Sequence, residues 1–416
     1  MDNNKICWYI YRLSKMSLEE IFWRLDVMVN QPDLRKIKRV GPELARNQLS
    51  RELPVLGERL KNDFSASGEE KEKIVFRAEK ILRHEFDFFG ESVSLPREIS
   101  WLKDPLNGAD TPRIDFLKLN YREMKNDASV MRVWFLNRHT HLVTLAQAYA
   151  VTGREEFAVE IVEELNGWLA ECHYPYGLPW ATSMEAAMRL LAWTFVYRFL
   201  GDKRPGCFNE RFAQEFFTAV KQHFEHVKFN RSRFSSANNH ALAELAALLC
   251  AKETFPLLFE EEKDDFAEEL MNEAQKQFSD SGVNLEQAFS YHAFSLELLC
   301  AAASQSQAFL HKSREFFFKA AIFLNQAKDL MSLCGEYGDS DEAAATGIIP
   351  RDEDYYSSVA KLSYALSDPD PKKTETVSED YQWYTGTESK PLIEEVFNDY
   401  SPHLPSLCTH GALLVA

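Results

Sequence analysis

The stretch Ser235-Ser-Ala-Asn-Asn-His-Ala-Leu-Ala-Glu244 begins one of the apolar helical segments that decide the fold class, and it places a polar cluster at the start of that segment. Two adjacent amides, an imidazole and a carboxylate meet at one predicted helix end. Apolar-periodic segments of helical type recur through most of the chain. They lie at 43–62, 70–89, 129–152, 155–172, 182–200, 209–228, 236–252, 258–279, 286–304, 308–328 and 352–366. The sequence therefore predicts an all-α protein.

Short polar breaks separate the predicted helices, for example at 152–153, 201–205 and 280–282. Links of this length usually join antiparallel neighbours. A regular succession of helical hairpins is typical of an open solenoid or a closed α/α toroid. The toroid would occupy residues 1–366, with an N-terminal extension and a long loop at 89–128 that packs over one end. We interpret residues 367–416 as a linker and a short irregular tail.

The charge balance excludes one class of partner. The 416 residues carry a formal net charge of -17, whereas nucleic-acid binding needs a basic surface. An anionic polysaccharide would need a local cationic cleft on this acidic body. Arg231 and Arg233 lie just before the polar cluster and are candidates for that cleft, with Arg233 the predicted substrate contact.

No metal or cofactor site is expected. The seven cysteines are scattered singly, which argues against a disulfide framework or a zinc site. His139 and His141 are two residues apart and point in different directions on a helix. The N-terminal apolar run is too short for a signal peptide, and no stretch has the length of a membrane span. A cytoplasmic location is the default expectation.

Two segments carry the predicted chemistry. Capping of a helix start explains one of the two asparagines before His240, but not both amides and the imidazole. Glu244 follows His240 by four residues, on the same helix face. About fifty residues later, Glu286-Gln-Ala-Phe-Ser-Tyr291-His292 brings a phenol at the start of another helix. Amides can hold a carboxylate, and a phenol can move a proton.

Two further segments supply candidate substrate contacts. In Trp134-Phe-Leu-Asn137-Arg138-His139, the arginine has even odds of binding a substrate carboxylate or a structural acid. The aromatic loop before the predicted helix 182–200 contains Trp180, a candidate platform for a sugar ring. Thr182 or Ser183 would cap that helix.

At these residues the sequence resembles the heparinase II/III-like polysaccharide lyases. The likeness rests on the segments 134–149, 180–193, 238–244 and 282–297, with a similar turn at 338–341. The resemblance implies an incomplete α/α toroid that is followed by a β-sandwich. It also implies cleavage of uronate-containing polysaccharides by β-elimination. Asn239 and His240 would then neutralise the uronate carboxylate, and Tyr291 would serve as base, acid or both. The implied substrate contacts are Asn137, Arg138, His139, Trp180, Arg233 and Glu244.

The chain departs from this family where the β-sandwich should begin, and residues 367–416 are at most a remnant of it. Members often supply a further catalytic histidine from the sandwich. A lyase impaired by this loss, or one completed by a separate β-sandwich chain, is one expectation. The alternative is a non-catalytic protein that binds glycans or assists polysaccharide assembly. The polymer, the cleavage mode and the sugar epimer stay open.

Overall fold

The fold is taken from a computed structural model, which describes residues 11, 13–51, 68–124, 127–201, 204–334, 337–340, 343–351 and 355–367. The helices are α1 Leu18–Val29, α2 Pro42–Ser50, α3 Gly68–Leu82, α4 Val130–Asn137, α5 Thr140–Thr152, α6 Glu155–Glu171, α7 Ser183–Phe199, α8 Glu210–Phe229, α9 Asn239–Thr254, α10 Phe266–Gln277, α11 Phe289–Gln305, α12 Gln307–Cys334 and α13 Tyr355–Leu366. Two short antiparallel strands, β1 Glu85–Phe88 and β2 Glu91–Ser94, form a hairpin in which Phe86 pairs with Val93.

The prediction of an incomplete all-α toroid is confirmed. Helices α5, α7, α9 and α11 form an inner row, in which each packs on the next. They are buried on almost every side, and every residue of α7 is buried. The outer helices α6, α8 and α10 alternate with them and keep a polar face. Because the hairpins are antiparallel, the four inner helices begin at the same end of the toroid.

One predicted helix, 129–152, is divided in the structure. Helix α4 ends at Asn137 and α5 begins at Thr140, because His139 adopts a left-handed conformation with φ 61°. The ring of His139 is fully buried, and its Nδ1 accepts a hydrogen bond from Trp193 Nε1 at 2.9 Å. This tertiary contact holds a backbone conformation that a non-glycine residue rarely adopts. The helix α1 and the β-hairpin were not predicted either.

The described residues of the segment 89–128, namely 89–124 and 127–128, pack along the end where the inner helices begin. Trp101 is buried, and its carbonyl accepts a hydrogen bond from Asn137 Nδ2 at 2.8 Å. Asp104 forms a two-point ion pair with Arg132 of α4. These contacts hold the segment against α4, although its first residues form strand β2 and not loop.

A closing segment, residues 343–351, connects the last inner helix to the first. Glu297 of α11 accepts hydrogen bonds from the backbone N–H groups of Ala345 and Thr346, at 2.8 and 3.1 Å. Gly347 has φ 78° and lies so close to α5 that an added Cβ would be 2.6 Å from Thr140 O. The closing segment therefore spans the gap between the two ends of the helical row.

Residues 368–416, which contain the predicted linker and tail, lie outside the described part of the chain. Among the described residues, none of the helices combines the length and apolar character that a membrane crossing requires.

Candidate functional site

Helix α9 begins with a side-chain cap from one of the two asparagines. Asn238 Oδ1 accepts a hydrogen bond from the backbone N–H of His240 at 3.1 Å, which satisfies one of the open donors at the helix start. Ser235 and Ser236 take no part in this cap and instead accept hydrogen bonds from Arg24. Capping thus accounts for Asn238 and leaves Asn239 with another role.

Asn239 holds a carboxylate. Its backbone N–H donates to Glu286 Oε1 at 2.9 Å, and its Nδ2 donates to Glu286 Oε2 at 3.0 Å. The first residues of a helix favour negative charge, because their N–H groups are unpaired and the helix dipole is positive there. The start of α9 is therefore a carboxylate-binding corner, which is filled here by Glu286.

The same corner contains the start of α11. Glu286 lies three residues before α11, and Tyr291 is the third residue of that helix. His240 and Tyr291 are both half-buried, so each keeps contact with solvent. Gln277 Nε2 donates to Asn238 O at 2.7 Å and ties the end of α10 to the same place. The structure thus brings the starts of α9 and α11 together at one end of the toroid.

Glu244 lies inside the protein. Its side chain is fully buried and accepts hydrogen bonds from the backbone N–H and the hydroxyl of Ser232. Burial raises the pKa of the Glu244 carboxyl to about 8, although the hydrogen bonds from Ser232 act in the opposite direction. This environment suits an anchor for the 231–237 loop, and it does not fit direct contact with a polymer.

A pocket of about 440 Å³ opens beside the first turns of α9. Charged and polar side chains from the 231–237 loop and from α10 line it, including those of Arg231, Arg233, Glu269, Asn272 and Lys276. Arg231 is buried and paired with Glu269 at 2.5 Å. Arg233 is exposed, and no ion pair involves it in the part of the chain that the structure describes. Of the two arginines expected in a cationic cleft, Arg233 is the accessible one.

Arg138 has a structural partner. Its Nε and Nη2 donate to the two carboxylate oxygens of Glu185 at 2.9 and 2.7 Å, and both side chains are almost completely buried. The sequence left open whether this arginine binds a substrate or a structural acid. The structure favours the structural acid.

Three other predicted substrate contacts lie in the core. Asn137 is fully buried, and its amide bonds to Trp101 O, Val133 O and the indole of Trp168. Trp180 is 1% exposed and donates to Cys172 O at 3.0 Å. Burial also lowers the pKa of His139 well below its ordinary value. None of the three presents a surface to a sugar, so the structure corrects these assignments.

The structure adds one residue to the site that sequence reasoning did not place there, Glu286, and it places Arg351 beside the start of α11. Glu286 was visible in its segment, but its contact with Asn239 depends on the packing of α9 on α11. Arg351, from the closing segment, donates to Tyr356 Oη at 2.7 Å and lies 3.5 Å from Ser290 Oγ, next to Tyr291. Nothing in the sequence near Arg351 signals this proximity.

The profile described as "Heparinase II/III N-terminus" matches residues 45–320, and the chain belongs to this family. No curated protein matches the chain.

Solved structures share the fold. A crystal structure of heparinase III is 16% identical, with a TM-score of 0.53 over 88% of this chain and 56% of that chain. The heparan sulfate lyase HepC from Pedobacter heparinus is 16% identical, with a TM-score of 0.44 over 70% and 47%. The chain thus spans about half of the length of these proteins. None of the comparisons supports a separate β-sandwich partner chain.

Proposed function

We propose that this protein is a polysaccharide lyase that cleaves uronate-containing glycans by β-elimination. One observation carries the proposal. Asn239 binds the Glu286 carboxylate through its backbone N–H and its amide, at 2.9 and 3.0 Å. The helix that contains the half-buried Tyr291 begins beside this contact. Nδ2 has a second hydrogen, which can donate to the carboxylate of a bound uronate. Glu286 then acts as a positioning residue that orients the amide.

The reaction needs a neutralised carboxylate and a proton carrier. Donors from Asn239 and His240 withdraw charge from the uronate carboxylate and stabilise the carbanion that forms on C5, as preorganised donors do. In its deprotonated form, Tyr291 takes the C5 proton, and the C4–O bond breaks. The leaving oxygen receives that proton, and the product keeps a double bond between C4 and C5. Tyr291 thereby returns to its starting state.

Local charge and the names of the solved relatives support the proposed substrate class. Arg233 supplies an accessible cation beside the carboxylate-binding corner, which suits a polyanion. The solved relatives are described as heparinase III and heparan sulfate lyase. Heparan sulfate is therefore the first substrate to test, followed by other polyuronates.

Adjacent asparagines provide a matched test. Asn239→Ala should lower turnover of the polyuronate about 100- to 1,000-fold, as loss of one preorganised donor does. Asn238→Ala should keep the turnover per folded molecule and cost about 0.5–2 kcal/mol of unfolding free energy, because it removes a cap. The readout is the ultraviolet absorbance of the unsaturated product, with folding checked by circular dichroism.

Tyr291→Phe tests the proton carrier with almost no change of shape, and it should abolish the rise in absorbance. Equal rates for the wild type and Tyr291→Phe on every polyuronate would contradict the lyase proposal. Binding on a glycan array without turnover would instead support the glycan-binding or polysaccharide-assembly alternative.

A further inference from the structure

Three buried titratable side chains, those of His84, Glu160 and Glu164, meet beside the half-buried His141. Glu160 and Glu164 are four residues apart on one face of α6. His84 Nε2 lies 2.8 Å from Glu160 Oε1, and His141 Nε2 lies 2.8 Å from Glu164 Oε2. One ligand atom each from His84, Glu160 and Glu164 lies within 4.8 Å of the others. These side chains connect the residue before β1 with helices α5 and α6.

The ring of His84 is oriented by a carbonyl. Its Nδ1 lies 3.1 Å from Pro96 O, which can only accept, so Nδ1 carries a hydrogen. In the neutral ring, Nε2 then presents a lone pair to a carboxylate oxygen 2.8 Å away. Such a contact needs a proton or a cation between the two atoms. A backbone carbonyl on the second ring nitrogen is also the usual arrangement of a metal-bound histidine.

A second observation points to a ligand. Glu164 Oε1 is buried without a hydrogen-bond partner, and the residue is only 5% exposed. A buried acceptor that lacks a donor costs about 1–3 kcal/mol, and more when it is charged. Burial and the nearby Glu164 carboxylate also raise the pKa of Glu160. Arg97 Nη2 lies 3.9 Å from Glu160 Oε2 and offsets part of this repulsion, but no hydrogen-bond donor in the described part of the chain reaches Glu164 Oε1.

We propose that His84, Glu160 and Glu164 form a binding site for a divalent transition-metal ion of the Zn²⁺ type. One imidazole and two carboxylates are a donor set that Zn²⁺ and similar ions accept. His141 is the positioning residue that holds Glu164. Ligand atoms around a tetrahedral Zn²⁺ are about 3.3 Å apart, from bond lengths of about 2.0–2.1 Å. Small side-chain movements from the observed spacing are sufficient.

The site has an entry path. A pocket of about 500 Å³ adjoins it and is lined by Glu160, Glu164 and further residues, among them Arg97, Trp101, Glu163 and Gly167. The bound ion would fasten the start of the β-hairpin to α6. No metal site was predicted from the sequence, and this one could not be seen there because His84 and Glu160 lie 76 residues apart and meet only after folding.

Metal content and affinity of the full chain test the proposal. Protein treated with a chelator and then dialysed against Zn²⁺ should retain one equivalent by mass spectrometry of the metal. Glu164→Gln and Glu160→Gln should each weaken Zn²⁺ binding at least about tenfold in calorimetric titration. Zn²⁺ should also raise the melting temperature of the wild type and not that of Glu164→Gln.

Glu163→Gln is the matched control. It makes the same change on the same helix, but Glu163 is half exposed and pairs with Arg97 at 2.7 Å, and it is not one of the proposed ligands. Its Zn²⁺ affinity should equal that of the wild type. If Glu164→Gln does not fold, His84→Gln provides the second ligand variant. No binding by the wild type, or equal losses in the ligand variants and the control, would overturn the site and leave shared protons as the explanation.

Discussion

Asn239 and Glu244 lie five residues apart on α9. A negative charge is stabilised beside Asn239 and destabilised on Glu244. The helix start gives Asn239 donors that bind the Glu286 carboxylate. One turn further, burial raises the pKa of Glu244 to about 8, so that its acid form dominates at neutral pH. A carboxylate is thus favoured at the helix start and disfavoured inside the helix. This difference belongs to single residues and can be measured.

We predict that Glu244 makes stability depend on pH. Its folded-state pKa is above the unfolded value, so its contribution is fully present below about pH 4.5 and is lost as the pH rises to about 8. Each pKa unit corresponds to about 1.4 kcal/mol. The unfolding free energy of the wild type should fall over this range, and that of Glu244→Gln should fall much less. Urea unfolding at pH 5, 6, 7 and 8 measures it.

The exposed Glu261 provides the control for this series. Glu261→Gln should follow the wild type at each pH. If Glu244→Gln also follows the wild type, the carboxyl of Glu244 does not titrate as its burial indicates.

Among the helices and strands, features that depend on neighbouring residues could be predicted, and features that depend on contacts between distant residues could not. Helix α7 was predicted at 182–200 and is found at Ser183–Phe199, because its cap is a local feature: Thr182 Oγ1 accepts from Glu185 N. The break at His139 escaped prediction because a distant indole holds it. In the candidate site, the sequence indicated the polar residues of α9 and α11. It could not indicate which asparagine is the cap, or that Arg138, Asn137 and Trp180 turn inward.

The turn between α10 and α11 should tolerate no side chain at Gly282. This glycine has φ 83°, and a Cβ there would lie 2.5 Å from the backbone carbon of Lys319. Gly282→Ala should cost about 1–3 kcal/mol of unfolding free energy, from strain alone. It should also lower turnover in the proposed lyase reaction, since the turn carries Glu286. Gly206→Ala is the control, because a Cβ at Gly206 meets no atom within 4 Å.

Urea unfolding and product absorbance measure both effects for the two glycine variants. A Gly282→Ala protein with the stability and turnover of Gly206→Ala would show that the turn adapts without disturbing α11.

Across the whole molecule, the net charge of -17 would repel the proposed polyanionic substrate, while Arg233 would attract it locally. Arg233→Glu should weaken binding of heparan sulfate at least about tenfold at low salt, and the loss should shrink as salt screens the charge. Arg39→Glu changes the net charge equally, but Arg39 pairs with Glu215 on another element. Calorimetric titration at two salt concentrations compares them. Equal losses in both variants would mean that overall charge, not the pocket beside α9, governs binding.

The closing segment has a consequence for how the protein unfolds. An open row of helical hairpins loses structure from its ends, since each hairpin contacts only its neighbours. Here Glu297 of α11 accepts hydrogen bonds from the closing segment, and Gly347 of that segment lies directly against the start of α5. The closing segment therefore contacts both ends of the row. We expect α5 and α11 to exchange amide hydrogens at similar rates and to melt in a single cooperative step.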